Sequence, residues 1–193
     1  MTRGRLIAVM AAIIVVMGIA LVRTATATHD ASHKAFSGGT GFRGLVVKTD
    51  LDPISITTFN SEWQTVDSRG FQIPANESQL IAVDFVAETR CVGTGTGRCS
   101  TRVLVGKTLG TAQSLEPASE NDFAIDTAGE DSRESHAMSR ALCVRNGSGA
   151  AINVSVWLQA TGNTNGSTVT TFELDDWTFK IARNAPCSPS VDI

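Results

Sequence analysis

The fold is decided by the stretch LIAVDFVAETRCVGTGTGRCSTRVLV, residues 80–105. In its first half, alternate residues that would share one face of a strand are Ile81, Val83, Phe85, Ala87, Thr89 and Cys91. In its second half, the corresponding residues are Cys99, Thr101, Val103 and Val105. This two-residue alternation is typical of half-buried β-strands, and it predicts two of them joined by a short glycine-rich segment.

The two cysteines in this stretch predict how its halves meet. If Cys91 faces Cys99, each residue of the first face meets a similar one on the second, such as Phe85 opposite Val105. We therefore expect an antiparallel hairpin closed by a disulfide. The intervening GTGTG, residues 93–97, is then a flexible tip, because glycine tolerates positive φ. A phosphate-binding loop would need G-x-G-x-x-G leading into a helix, whereas residue 100 begins a strand.

The amino end has the pattern of an export signal. The basic segment MTRGR precedes the uncharged apolar residues 6–22, which predict a hydrophobic helix, and Ala25-Thr26-Ala27 fits a small-x-small cleavage site. Residues 1–27 are then either a signal peptide cut after Ala27 or a retained anchor, because residues 6–22 approach the length of about 20 that a membrane span needs. Arg23 weighs against cleavage. Either way, residues 28–193 lie outside the cytoplasm, secreted or tethered to the membrane by this segment alone.

Export determines how the four cysteines are interpreted, because an oxidising compartment favours two disulfides. No C-x-x-C pair is present, so a zinc site is not expected. Since the register argument pairs Cys91 with Cys99, elimination leaves Cys143 with Cys187.

A second hairpin is predicted in ALCVRNGSGAAINVSVWL, residues 141–158. Asn146-Gly147 supplies a turn, which places Leu142 opposite Val154. Cys143 then points to the other face, from which it can hold the tail NAPCSPS.

The rest of the chain alternates between short strand-like runs and turn residues. Residues 28–44 are polar and glycine-rich, which predicts a flexible linker, and residues 45–193 then form the folded domain. Further strands are predicted at 45–49, 54–66, 71–74 and 122–126. In the last strand, a bulge at Asp175-Asp176 would place five apolar residues on one face: Phe172, Leu174, Trp177, Phe179 and Ile181. The fold class is therefore all-β, an antiparallel β-sandwich of about eight or nine strands, jelly-roll-like in the first instance and immunoglobulin-like in the second.

Charge and motifs exclude several functions. The formal net charge is −3, and three of the basic residues are Arg3, Arg5 and Arg23, so the exported part is acidic and unsuited to nucleic acid. Neither G-x-S-x-G nor H-E-x-x-H occurs, and His136 is the only histidine outside the predicted linker. The acidic segment 116–134 lacks a D-x-D-x-D-G calcium loop. We therefore expect a non-catalytic protein without metal or cofactor; the alternative is a small hydrolase of envelope polymers using His136 and loop carboxylates.

Trp157 is the best candidate for a residue that contacts a ligand. Alternation places it with Asn153, Ser155 and Gln159, on the face opposite Val156 and Leu158. An exposed tryptophan supplies a large contact area and a hydrogen-bond donor. An envelope glycan or a surface protein is the expected partner, unless a loop or the tail covers Trp157. A purely structural domain without a ligand is the third possibility.

The strings VDFVAETRC, CSTRVLV and LDDWTFKIAR, together with the signal, resemble a loose group of uncharacterised exported bacterial β-sandwich proteins. The resemblance covers about residues 50–185, and its motifs are structural. It implies a jelly-roll-like fold and an exported location. It implies no catalytic residue.

Overall fold

The computed structural model describes residues 37–57, 62–95, 97–118, 123–129, 132–163 and 168–193. Within these ranges the chain forms eleven strands and one 3₁₀ turn, Leu109–Thr111. The strands are β1 (Ser37–Asp50), β2 (Ile54–Ile56), β3 (Gln64–Ile73), β4 (Ser78–Thr94), β5 (Arg98–Gly106), β6 (Gln113–Ser114), β7 (Phe123–Thr127), β8 (Glu134–Arg145), β9 (Ile152–Asn163), β10 (Thr168–Ser188) and β11 (Val191–Asp192). The all-β class predicted from the sequence is confirmed.

The strands form two sheets that face each other across one core. The first sheet has the order β1-β10-β4-β8-β11, with β2 also paired to β10. The second has the order β3-β9-β5-β6, with β7 also paired to β5. All pairs are antiparallel except β11 with β8. The protein is therefore an antiparallel β-sandwich, as predicted.

The predicted hairpin of residues 80–105 is wrong, because β4 and β5 belong to different sheets. The apolar face of each strand is buried as expected, with exposures from 0 to 2%. The faces meet across the core, however, and not side by side. Alternation reports only which side chains share a face, and two matching faces can pair in one sheet or stack between two. The Cys91–Cys99 disulfide, with Cα atoms 5.7 Å apart, consequently joins the two sheets.

The second predicted hairpin is wrong for the same reason. β8 lies in the first sheet and β9 in the second, so Leu142 does not pair with Val154. The residues between them are organised by Asn146, whose side chain is completely buried. Its amide nitrogen lies within hydrogen-bond distance of three carbonyl oxygens, those of Ile73 at 3.1 Å, Pro74 at 2.9 Å and Ala150 at 2.8 Å. Its oxygen accepts from the backbone N–H of Ser148 at 2.9 Å. One side chain thus connects the β3–β4 and β8–β9 turns.

The tail is held as the sequence predicts. Cys143 points away from the core face that carries Leu142, and it forms a disulfide with Cys187, with Cα atoms 5.9 Å apart. The Ser78 hydroxyl donates to the carbonyl of Cys187 at 2.9 Å and accepts from its N–H at 3.1 Å. Strand β11 then runs parallel to β8. The end of the chain is therefore held at the β8 edge of the first sheet, where β11 is the last strand.

The bulge predicted at Asp175-Asp176 is present. The pairing of β10 with β4 shifts between Asp175 and Thr178, and Asp176 has φ of 43°. The five apolar residues named for this strand are all at most 1% exposed. Trp177 packs near Phe85 of β4, with ring centroids 6.5 Å apart.

The amino-terminal predictions meet the structure only in part. Residues 1–36, with the predicted signal segment, lie outside the described residues. The linker prediction differs from the structure over residues 37–44, which pair with β10 as part of β1. Glycines in this segment flank two irregularities of the pairing, which explains why composition resembled a linker. Among the described residues, no helix is long and apolar enough to cross a bilayer.

Replacing Asn146 tests its role as the connection between the two turns. Asn146→Ala removes a fully buried amide that donates to the Ile73 carbonyl and accepts from the Ser148 N–H, so we expect the free energy of unfolding to fall by about 2 kcal/mol. Asn146→Asp should cost more, because a buried carboxylate would face those carbonyls. Urea unfolding measures both effects. The control Asn153→Ala changes an exposed asparagine and should stay within about 0.5 kcal/mol; equal losses in Asn146→Ala and Asn153→Ala would contradict the assignment.

Candidate ligand-binding face

The candidate site lies on the outer face of the second sheet. On β9, Val154, Val156 and Leu158 point into the core and are at most 1% exposed. Alternation therefore directs the residues between them to the outer face, as the sequence predicts. We call this surface the Trp157 face. It consists of Thr65, Ser68, Gly70 and Gln72 of β3, of Asn153, Ser155, Trp157 and Gln159 of β9, and of Arg102, Leu104 and Gly106 of β5.

Trp157 lies at the centre of this face and is half-buried. Its register partners are Ser68 on β3 and Leu104 on β5. Ser68 is exposed, whereas Leu104 is only 6% exposed despite its outward direction. Directly opposed side chains on neighbouring strands are within contact distance. The indole therefore has an apolar neighbour on its β5 side and a small polar neighbour on its β3 side.

One row along the sheet, a chain of hydrogen bonds runs across the Trp157 face. Arg102 Nε donates to Gln159 Oε1 at 2.9 Å, and Gln159 Nε2 donates to Thr65 Oγ1 at 3.2 Å. The guanidinium carbon of Arg102 also lies 4.1 Å from the ring centroid of Trp63, which is a cation–π contact. A second tryptophan thus contacts a residue of the Trp157 face. Trp63 falls within the strand predicted at 54–66, but in the structure it precedes β3, and its contact with Arg102 of β5 cannot be inferred from alternation along one strand.

The next row of the face, on the other side of Trp157, carries only small residues. Gly70 pairs with Ser155, which pairs with Gly106 on its other side. Gly106 is covered, because a Cβ there would lie 2.8 Å from the Cα of Ala112. Gln72 and Asn153 form the next pair, and both are exposed. Trp157 therefore lies beside a row of small residues. The amide side chains of Gln72 and Asn153 follow that row, and the backbone of Ala112 covers its β5 end.

The Trp157 face is almost uncharged. None of its residues is a carboxylate, and its one cation, Arg102, is engaged by Gln159 and Trp63. The remaining polar groups are hydroxyls and amides, which both donate and accept hydrogen bonds. This combination suits a neutral ligand that presents apolar C–H surface to the indole and hydroxyl groups to the amides.

His136, the histidine of the hydrolase alternative, lies elsewhere and has a different environment. Its Nδ1 is 2.8 Å from Thr89 Oγ1, which donates to Asp126 Oδ2 at 2.9 Å. Thr89 is 0% exposed, so its hydroxyl offers no surface to a substrate. The His136 side chain is itself 27% exposed, and its Nε2 lies 3.9 Å from a carboxylate oxygen of Glu134. The contacts of His136 therefore connect β8, β4 and β7, and the hydroxyl that contacts its Nδ1 is buried.

Three acidic residues of the first sheet, Asp84, Glu173 and Asp175, form ion pairs with basic side chains. Glu173 pairs with Arg90 at 2.8 Å and with Arg133 at 3.3 Å, and Arg133 also contacts Asp175. Hydrogen bonds from Arg90 lower the pKa of Glu173; burial opposes this shift, and Arg133 adds to it. Asp84 has a lowered pKa because Ser139 and Lys180 donate to it. No group of three possible metal ligands occurs among the described residues, which omit 119–122 and 130–131 of the acidic segment.

The lowered pKa of Glu173 predicts acid sensitivity. A carboxylate with a depressed folded pKa stabilises the protein above the ordinary glutamate value of about 4.3, and this stabilisation is lost as pH falls through the folded pKa. Glu173→Gln should therefore be less stable than the native protein near pH 7, by about 1 kcal/mol, and the difference should shrink progressively as the pH falls below the ordinary glutamate value. Thermal melting across this range measures it. A constant difference, or an equal effect of Glu62→Gln outside this network, would contradict the prediction.

No protein-family profile and no curated protein sequence matches the chain. Among solved structures, the chain is similar to VP2 of the infectious bursal disease virus subviral particle, with 15% identity and a TM-score of 0.47, over 72% of this chain and 32% of VP2. It is also similar to the CBM22-1 xylan-binding domain of Paenibacillus barcinonensis Xyn10C, with 12% identity and a TM-score of 0.33, over 78% and 91% of the two chains. Latent PorU of Porphyromonas gingivalis matches with 11% identity and a TM-score of 0.31, over 81% of this chain and 14% of PorU. No residue role or ligand follows from likenesses this distant.

Proposed function

We propose that this protein is an exported, non-catalytic β-sandwich that binds glycan at the cell envelope through the Trp157 face. The observation that carries the proposal is the placement of Trp157 on an almost uncharged surface of hydroxyl and amide side chains. Its rigid position on a central strand, paired on both sides, gives the surface a defined shape.

The chemistry of sugars matches this surface. One side of a pyranose ring is a sheet of C–H groups, which packs against an indole, while its hydroxyls form directional hydrogen bonds with amides. Trp157 supplies the indole, and Asn153 and Gln72 supply exposed amides on the same face. Each such contact is weak, so we expect an oligosaccharide or polysaccharide that makes several contacts at once to bind more tightly than a single sugar.

Location supports an envelope partner. The two disulfides suit an oxidising compartment. The apolar residues 6–22 and the resemblance to exported bacterial β-sandwich proteins agree with export, with the domain either released or tethered.

The jelly-roll-like topology is part of the proposal. The long strands β3, β4 and β5 alternate between the two sheets, as do β8, β9 and β10. This alternation supports the interleaved arrangement of a jelly roll, in which neighbouring strands of one sheet are distant in sequence.

The hydrolase alternative is less favoured, because the Nδ1 atom of His136 is engaged by the buried Thr89 hydroxyl and His136 lies outside the Trp157 face. If this protein binds a surface protein or has a purely structural role, the native protein binds no oligosaccharide in the experiment below.

Truncation of the indole tests the proposal. The exported protein is titrated with cellohexaose, chitohexaose and an oligogalacturonate, and binding is measured by calorimetry. Trp157→Ala should weaken binding at least tenfold, about 1.4 kcal/mol, because it removes the stacking surface. Trp157→Phe should retain part of the affinity, since it keeps an aromatic ring.

The matched control is Leu51→Ala, which shortens an apolar residue that is 76% exposed outside the Trp157 face. Thermal melting of each variant separates lost binding from lost folding. A native protein that binds no oligosaccharide, or equal binding by the native protein and Trp157→Ala, contradicts the proposal.

A further inference from the structure

Gly70 lacks the structural reasons that usually explain a glycine within a strand. It lies in the interior of β3 on the Trp157 face, one residue pair away from Ser68 and Trp157. Glycine weakens a strand, because it restricts the unfolded chain least and offers no side chain to pack. Where it occurs in a strand, it commonly marks a bulge, a special backbone angle, or a close approach by another backbone or a ligand.

The first three explanations do not apply to Gly70. Its φ does not lie in the positive range that favours glycine. The irregularity of β3 lies between Thr65 and Asp67, not at Gly70. A Cβ at Gly70 would lie 3.7 Å from Ser155 Oγ and 3.8 Å from the carbonyl oxygen of Val154, which are ordinary contacts. Within the described structure, an alanine therefore fits at this position.

Gly106, which lies in the same row of the sheet as Gly70, is a glycine that packing does explain. A Cβ there would meet the Ala112 backbone at 2.8 Å, so the fold itself requires a glycine. Gly70 and Gly106 flank the same residue, Ser155, on the same face. One of the two is explained by packing, and the other is exposed and leaves the backbone open beside Trp157.

We propose that Gly70 is a specificity-determining residue of the Trp157 face, where its missing side chain lets a neutral sugar ring lie against the β3 backbone beside Trp157. This inference rests on the proposed glycan-binding function and deepens it. The ring is bordered by Trp157 on one side and by the amides of Gln72 and Asn153 on the other. The absence of carboxylates from this face, and the engagement of Arg102 by Gln159, favour a neutral sugar over an acidic one.

The experiment compares stability and binding in the exported protein. Gly70→Ala should raise the melting temperature, because alanine suits a strand better than glycine, yet weaken binding of cellohexaose or chitohexaose at least fivefold. Gly70→Val should abolish measurable binding while the protein stays folded, since valine favours strands. The control is Gly149→Ala, where nothing lies within 4 Å and which lies outside the Trp157 face; it should bind as the native protein does.

The outcomes separate this inference from the function on which it rests. Opposite shifts of stability and affinity in the Gly70 variants support the inference. Native affinity in Gly70→Val, with loss of binding in Trp157→Ala, overturns it and leaves glycan binding intact. Binding of the oligogalacturonate alone overturns the neutral-sugar assignment. No binding of any probe by the native protein overturns both proposals.

Discussion

The bulge at Asp175-Asp176 is the constraint on which the sandwich depends. Strand β10 pairs with β1, β2 and β4, and its residues 172–181 supply much of the core. Without the extra residue, Phe172 and Leu174 would face the core while Trp177, Phe179 and Ile181 faced solvent, because side chains alternate along a strand. Continued alternation would also direct Asp176 toward the core, whereas the bulge leaves this residue exposed. A single irregularity thus keeps five apolar residues in the core and an acid out of it.

The inward faces of β4, β5, β8, β9 and β10 could be predicted from the sequence, but the sheet to which each belongs could not. Phe85 and Val105 are both buried on the faces that alternation assigns. Alternation is nevertheless identical for two strands that pair and two that stack, so β4 and β5 were placed side by side when they lie across the core. The cysteines did not resolve this, because Cys91 and Cys99 meet in either arrangement. The bulge was predictable because Phe172 and Leu174 alternate out of step with Trp177, Phe179 and Ile181. One extra residue between the two groups places all five side chains on the same face.

Residues of the candidate site could be predicted where alternation along a single strand locates them. They could not be predicted where their role depends on contacts between strands. The parity of β9 alone locates Trp157. Trp63 joins it only through Arg102, a residue of β5, and Gly70 becomes informative only when its neighbours in space are known. A glycine in a strand is an ambiguous signal in a sequence, since a bulge, a close backbone and a ligand site all produce it. Only the distances around Gly70 and Gly106 separate these cases.

The proposed separation of stability from binding depends on the two faces of β9. Its inward residues, such as Val156 and Leu158, are part of the core, while its outward residues contribute little to it. Hydrogen bonds to β3 and β5 hold the strand on both sides, so the Trp157 face has little freedom to lose when a ligand binds. A surface on a central strand therefore begins with an entropic advantage over a loop of similar chemistry. The same arrangement lets outward residues change without disturbing the core, which makes this face the part of the fold where specificity can be adjusted at least cost to stability.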